Sequence, residues 1–239
     1  MNKQVRIDRD GEVITMTLDN AAAGNEITGG MFDAMLETLL SERSKPKARV
    51  LRIRAEGEVF CLGRERAGKD EASINVEINR LIALKRAVME SPLISIAEVQ
   101  GNAAGFGVGL AVVSDFTYVA ESAMLSFPEM KKGLPPAAIM AYLSRYALPK
   151  RLFPLVLFAQ EFTPAQAREM GLVTHVSSKA SLRADVDAVV ARILAMDAEG
   201  ARQCKAYFHA AQEGTLAQNF TDATGLLVAQ TLRLQGTRS

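Results

Sequence analysis

Cysteine and histidine are scarce in this chain of 239 residues, with two of each. Cys61 and Cys204 cannot form a disulfide framework, and with only His175 and His209 beside them a structural zinc site lacks ligands. Charge of one sign is lacking too. Lys and Arg total 28 against 27 Asp and Glu, a formal net charge of +1. No basic stripe stands out, so nucleic acid is not an expected partner. No apolar run approaches the ~20 residues that span a bilayer, and no membrane partner is expected. The opening "MNKQVRIDRDGEV" has no apolar core of a signal peptide, which makes a reducing, cytoplasmic setting the expectation. Hydrophobic residues make up 49% and charged ones 23%, enough to bury a substantial core.

Several elements can be read directly. "QVRIDRDGEVITMTL" predicts a hairpin turning at Asp10-Gly11. Thr28 predicts the cap of a helix whose stripe is Met31, Phe32, Met35, Leu36, Leu39 and Leu40. Strands are expected at 49–54, 93–99, 116–120 and 124–127, with a short helix near 107–113. A longer helix ahead of Pro92 should bury Ile74, Ile78, Leu81, Ile82, Val88 and Met89. Lys85 interrupts that stripe, and its stem is expected to carry the charge outward. Strands alternating with helices imply an α/β layout with partly parallel pairing. After about residue 137 the pattern turns helical. Breaks fall near Pro149 and Pro154, "TPAQAREMG" is a capped helix, and helices are expected at 181–197, 200–212 and 217–234.

The densest glycine run, "GNAAGFGVGLAVVSDF" (101–116), asks what needs bare main chain there. Close packing is the plain answer. Gly105-Phe106-Gly107-Val108-Gly109 lacks the dinucleotide spacing, and no Gly-Lys-Ser/Thr ending makes a phosphate loop. A third reading makes the run one half of an oxyanion hole, with main-chain N–H groups facing a carbonyl oxygen that gains negative charge. The other half would come from "FCLGRE" (60–65), where Gly63 precedes the N–H of Arg64.

The string "VQGNAAGFGVGLAVVSDFTYVAESAMLSFPEMKKGLPP" (99–136) resembles the signature of the enoyl-CoA hydratase/isomerase, or crotonase, family. "VFCLGRE", "FTPAQAREMGLVTHV" and "LDNAAAGNEIT" resemble three further motifs of that family in the same order. The resemblance implies a spiral of ββα units with two stacked sheets over residues 1–180. A helical trimerisation region would follow over 181–239, with assembly as a homotrimer or dimer of trimers. It implies an acyl-CoA substrate, with coenzyme A as carrier and no further cofactor or metal. The Arg64 and Phe106 amides would hold the thioester oxygen, and Leu62, Gly63, Gly105, Gly107, Gly109 and Pro136 would line the site. Glu129, in the Pro-Glu dipeptide, would be the acid/base.

Two departures matter. Hydratases of the family commonly use a second glutamate, and that position here is Gly109. One carboxylate suits double-bond isomerisation, with hydration by one glutamate and a placed water, or a non-catalytic acyl-CoA-binding role, as the alternatives. A base needs apolar neighbours, and Phe127, Met130 and Leu134 are the candidates. Phe106 stands where the family usually has glycine, and would be strained if its φ were positive. The Arg64 side chain could pair with Glu65 or Asp70, or join Arg66 and Lys69 in holding the coenzyme A phosphates. Glu98, on a buried strand, is expected to pair with an arginine, with a place in the pocket as a substitute acid as the alternative. Asp115 is expected to bind backbone or a helix end, and His209 to serve packing or an interface. His175 is read as a surface or strand residue, and Cys61 as an unreactive thiol. The family's usual closing motif is unmatched in "LVAQTLRLQGTRS", so either 217–234 covers the acyl pocket or the pocket is more open.

Overall fold

A computed structural model describes residues 4–236; the outermost residues of the two expected segments, 1–3 and 237–239, lie outside the described residues. The chain begins with the expected hairpin. β1 (Val5–Asp10) and β2 (Val13–Leu18) pair antiparallel from Val5 against Leu18 to Asp10 against Val13. Gly11 takes φ 53 at the turn, a conformation that glycine adopts at little cost. β3 (Val50–Ala55), β4 (Ile94–Val99), β6 (Phe116–Ala120) and β9 (His175–Ser177) then add in parallel, giving a six-stranded sheet ordered β1-β2-β3-β4-β6-β9. A second sheet of three short strands, β5 (Ala103–Ala104), β7 (Leu125–Ser126) and β8 (Glu161–Phe162), runs in the order β5-β7-β8.

The helices follow from caps and stripes. α1 (Gly29–Ser44) starts at Thr28, whose side chain accepts from the Met31 amide, and buries Met31, Phe32, Met35 and Leu39. Leu40, read as part of that stripe, is exposed. α2 (Glu71–Met89) opens with an Asp70–Ser73 capping box. Its buried face is Leu81, Leu84, Lys85 and Val88, whereas Ile74, Ile78 and Ile82 are exposed. The stripe therefore lies one step round from the expected one, because α2 packs along α1 and over the sheet only through its second half. The first half projects its isoleucines outward. α3 (Phe106–Val112) is buried at every residue.

Past the second sheet come α4 (Ala137–Leu143), α5 (Pro149–Leu157) and α6 (Pro164–Met170). The last of these has a Thr163–Gln166 capping box and stops at Gly171 with φ 88. α7 (Leu182–Leu194), α8 (Ala198–Ala211) and α9 (Leu216–Gly236) complete the chain. No described helix is long and apolar enough to cross a membrane.

The main sheet has two faces, as strand alternation requires. One covers the large core with α1, α2 and α3. The other presents Val50, Ile96 and Ala120 to Leu182, Val186, Val189 and Ile193 of α7. Glu98 belongs to that second face, where it pairs with Arg52 through Nε at 2.5 Å. Arg52 also reaches Asp187 of α7 at 2.6 Å, so the charge expected to find an arginine ties the sheet to its covering helix.

Candidate active site

The glycine run connects β4 to α3, and its first purpose is packing. A Cβ on Gly101 would overlap the Glu58 carbonyl oxygen, and one on Gly107 would overlap that of Cys61. Those two glycines let the 58–61 segment lie directly against the run. The Ala104 amide donates to the Cys61 carbonyl at 2.9 Å, and the Phe60 amide to that of Asn102 at 3.0 Å. The two candidate donor segments are thus hydrogen-bonded neighbours.

The donor amides are left open by the surrounding bonds. Ile27 bridges Arg64 in parallel fashion: its amide donates to the Gly63 carbonyl at 3.2 Å and its carbonyl accepts from the Glu65 amide at 3.0 Å. That pattern uses the flanking residues and turns the N–H of Arg64 itself away. Phe106 is the first residue of α3, where an amide has no intrahelical acceptor. Among the described residues neither N–H donates to a backbone acceptor. Gly105 caps the helix with φ 52, a glycine conformation. Phe106 itself has no positive φ, so the strain considered for it does not arise. Its ring is buried, edge-on to Phe32 at 5.2 Å.

Glu129 sits on a 3-10 turn (Pro128–Lys132) after β7. Its carboxylate lies against Gly105, where a Cβ would stand 2.7 Å from Oε1. Oε2 is buried and has no hydrogen-bond partner. Of the neighbours expected to surround it, Phe127 is fully buried, but Leu134 is exposed. Pro136 is buried at the start of α4, its carbonyl accepting from the Ile139 and Met140 amides. Leu62 is largely exposed and lies against Gly24.

Arg64 corrects an expectation. Its guanidinium pairs with Glu77 of α2 at 3.2 Å, not with the Glu65 or Asp70 carboxylate, and also donates to the Glu65 carbonyl at 3.1 Å. Glu77 accepts as well from the Ala67 and Gly68 amides. Desolvation works against its charge, but those amides and Arg64 outweigh it and hold the carboxyl below its usual range. Arg66 and Lys69 remain exposed in the same loop.

Lys85 is the larger correction. It does not carry its charge outward: its side chain is buried, with the residue only 3% exposed. Its Nζ donates to the Tyr142 hydroxyl at 2.9 Å and stands 5.0 Å from the Phe106 ring centroid. A Cβ on Gly109 would lie 2.5 Å from both the Lys85 Nζ and the Tyr142 hydroxyl. The place of the missing second glutamate is thus filled by an amine and a phenol from other helices. Desolvation lowers the Lys85 pKa to about 7 despite the opposing pull of Glu129, and burial raises the Tyr142 hydroxyl above its usual value. Lys85 stands out in the sequence as an intrusion in an apolar stripe, whereas nothing there marks Tyr142 or Glu77, whose roles depend on helix packing.

Other candidates fall into structural places. Burial pushes the Cys61 thiol up to about 12, which leaves it unreactive as expected. Asp115 binds the Ser95 amide at 2.7 Å, Lys205 at 2.7 Å and His209 at 3.2 Å, docking α8 on the sheet. His175 lies on β9 with its ring beside Tyr118. Among the described residues no cluster of three or more His, Cys, Asp or Glu side chains could hold a metal ion.

This arrangement has counterparts. The family model for enoyl-CoA hydratase/isomerase matches residues 8–234, so the chain belongs to that family. It is 29% identical over 178 residues to "Enoyl-CoA isomerase/hydratase fer4" of Mycosarcoma maydis, covering 69% of this chain and 65% of that protein. It is 32% identical over 168 residues to mouse "Enoyl-CoA hydratase domain-containing protein 2, mitochondrial", covering 68% of this chain and 57% of that one. The matches therefore span less than two thirds of these relatives. A Thermobifida fusca YX structure in complex with acetoacetyl-CoA superposes with a TM-score of 0.87 at 28% identity, covering 98% of this chain and 96% of that one. The fold is the crotonase fold.

Proposed function

We propose that the chain binds an acyl-CoA thioester and moves a carbon–carbon double bond within the acyl group. The Arg64 and Phe106 amides hold the thioester oxygen. Glu129 removes a proton beside the polarised carbonyl, and the electron pair moves onto the oxygen as an enolate. The protonated Glu129 then returns its proton at the far end of the conjugated system, so the double bond shifts with no net loss or gain of atoms. Preorganised amides suit this step because they need no reorientation as charge develops, and one such donor is worth about 2.7–4 kcal/mol.

The observation that carries the reading is the placement of the Glu129 carboxylate, with Oε1 against Gly105 and Oε2 buried and unpartnered, next to the residue that precedes the open Phe106 amide. The complex of the similar Thermobifida fusca protein with acetoacetyl-CoA supports an acyl-CoA thioester as the ligand. The lack of a carboxylate at Gly109 favours isomerisation over hydration. Assembly as a homotrimer or dimer of trimers is part of the same proposal.

The test supplies 3-enoyl-CoA and 2-enoyl-CoA separately and follows the absorbance of the conjugated thioester. Turnover of 3-enoyl-CoA is expected, with Glu129→Gln slower by about 10²–10⁴-fold. Loss of 2-enoyl-CoA as the sole reaction would replace isomerisation by hydration. Binding of both esters without turnover would leave a carrier of acyl-CoA and no enzyme.

A further inference from the structure

Lys85 has a donor capacity that the protein does not use. A lysine ammonium offers three N–H donors, and the structure occupies one, on the Tyr142 hydroxyl. Among the described residues Lys85 makes no ion pair. The Glu129 carboxylate, which acts on the amine only through space, lies against Gly105. Aromatic faces of Phe106 and Tyr142 flank the amine at 5.0 and 5.1 Å. These faces attract a cation weakly and cannot replace a counter-ion. A buried charge without a partner is costly, and this amine escapes the cost either by giving up its proton or by meeting an anion that arrives from outside.

Gly109 shows which part of the site the two polar groups belong to. Both polar atoms come within 2.5 Å of where a side chain at residue 109 would start, on the helix whose first amide faces the thioester oxygen. Taking the acyl-CoA reading as its basis, we infer that Lys85 and Tyr142 form an anion-recognising wall of the acyl site, and that the acyl group carries a second carboxylate. The oxygens of that carboxylate take hydrogen bonds from the Lys85 Nζ and the Tyr142 hydroxyl. A neutral hydroxyl or carbonyl on the acyl chain would fill the donors but leave the charge unbalanced.

The same wall couples binding to a proton. Tyr142 of α4, Glu129 on its 3-10 turn, and Cys61 and Arg64 in the loop after β3 face the amine. Desolvation and Arg64 lower its proton affinity, while Glu129 and Cys61 raise it. A carboxylate placed against Nζ adds a stronger upward pull, so the amine takes up a proton when the diacid ester binds near about pH 8.

The experiment measures calorimetric binding of succinyl-, glutaryl- and adipoyl-CoA. Each is compared with the monoacid ester of equal length: butyryl-, pentanoyl- and hexanoyl-CoA. At least one diacid ester is expected to bind about 10–100-fold more tightly than its monoacid counterpart, the span of a hydrogen bond to a charged group. Its heat should vary with the ionisation enthalpy of the buffer, showing proton uptake. K85Q should erase the preference and the uptake, and leave affinity for free CoA unchanged. Y142F, which keeps the ring in place, should reduce the preference, and it serves should K85Q fail to fold. Equal affinities within every pair, or a preference that survives both substitutions, overturns the inference and leaves the acyl-CoA reading standing. Failure of every thioester to bind better than free CoA overturns both.

Discussion

At the scale of single residues, Lys85 contributes to the pH response of the fold. The unfolded chain holds its proton up to the ordinary lysine value of 10.5, the folded chain only to about 7. Between those values the unfolded state binds more protons, so stability from this group grows as pH rises from about 7 towards 10 and is absent below 7. Lys85→Met removes the buried amine and keeps most of its volume. The variant should melt several degrees above the parent at about pH 6, where each kcal/mol is worth about 2–4 °C in a chain of this size. The gap should close towards about pH 10, and calorimetric melting at the two pH values checks it. A gap that does not change with pH would mean that Lys85 is not the titrating group.

Individual residues also show what sequence can and cannot disclose. Glu129 and Gly105 lie in one recognisable signature, but they meet because β5 pairs with β7, the Gly105 amide donating to the Ser126 carbonyl at 2.9 Å. The Arg52–Glu98 pair was foreseeable in kind, since a carboxylate on a buried strand needs a cation. Its partner's number was not. Lys85 and Tyr142 lie 57 residues apart and meet only through helix packing. A stripe that admits one lysine is normally read as a long stem reaching water, and nothing in α2 alone distinguishes that from a stem turned inward.

At the scale of elements, caps and turns were the legible features: Thr28, Asp10-Gly11, Thr163 and Gly171 all act where their chemistry placed them. The short strands β8 and β9 were not separately foreseen. Two or three residues give no periodicity, and they exist because neighbouring strands supply their partners. The docking of α8 depends on charge. Asp115 is half-buried, and its desolvation works against ionisation, but hydrogen bonds from His209, Lys205 and Ser95 keep its carboxyl below the usual range. Lys205 is tied besides to the Leu93 carbonyl at 2.7 Å. Asp115→Asn leaves Lys205 buried without its counter-ion and should cost about 3–5 kcal/mol in denaturant unfolding. A loss below about 1 kcal/mol would place α8 docking in its apolar contacts instead.

For the whole molecule, the conspicuous feature is what α9 leaves uncovered. No residue of this 21-residue helix is buried, and Leu216, Phe220, Leu227, Val228 and Leu232 are all exposed. Single exposed apolar residues are ordinary, but a helix with this many marks an interface. Light scattering should give a mass that is a multiple of three chains, and Phe220→Asp with Leu227→Asp should reduce it to one. A parent protein that elutes as a monomer would refute the trimeric proposal.

One helix carries two separate controls on the proposed chemistry. Glu77 anchors the loop that presents the Arg64 amide, and Lys85 stands eight residues further on, roughly 12 Å along the same rod. Tilting or sliding α2 would disturb the oxygen-binding amide and the buried amine together. On the proposed chemistry, selection for a different acyl group would fall to exchanges of single side chains at positions such as 85, 109 and 142, because reseating the rod would displace the Arg64 amide as well.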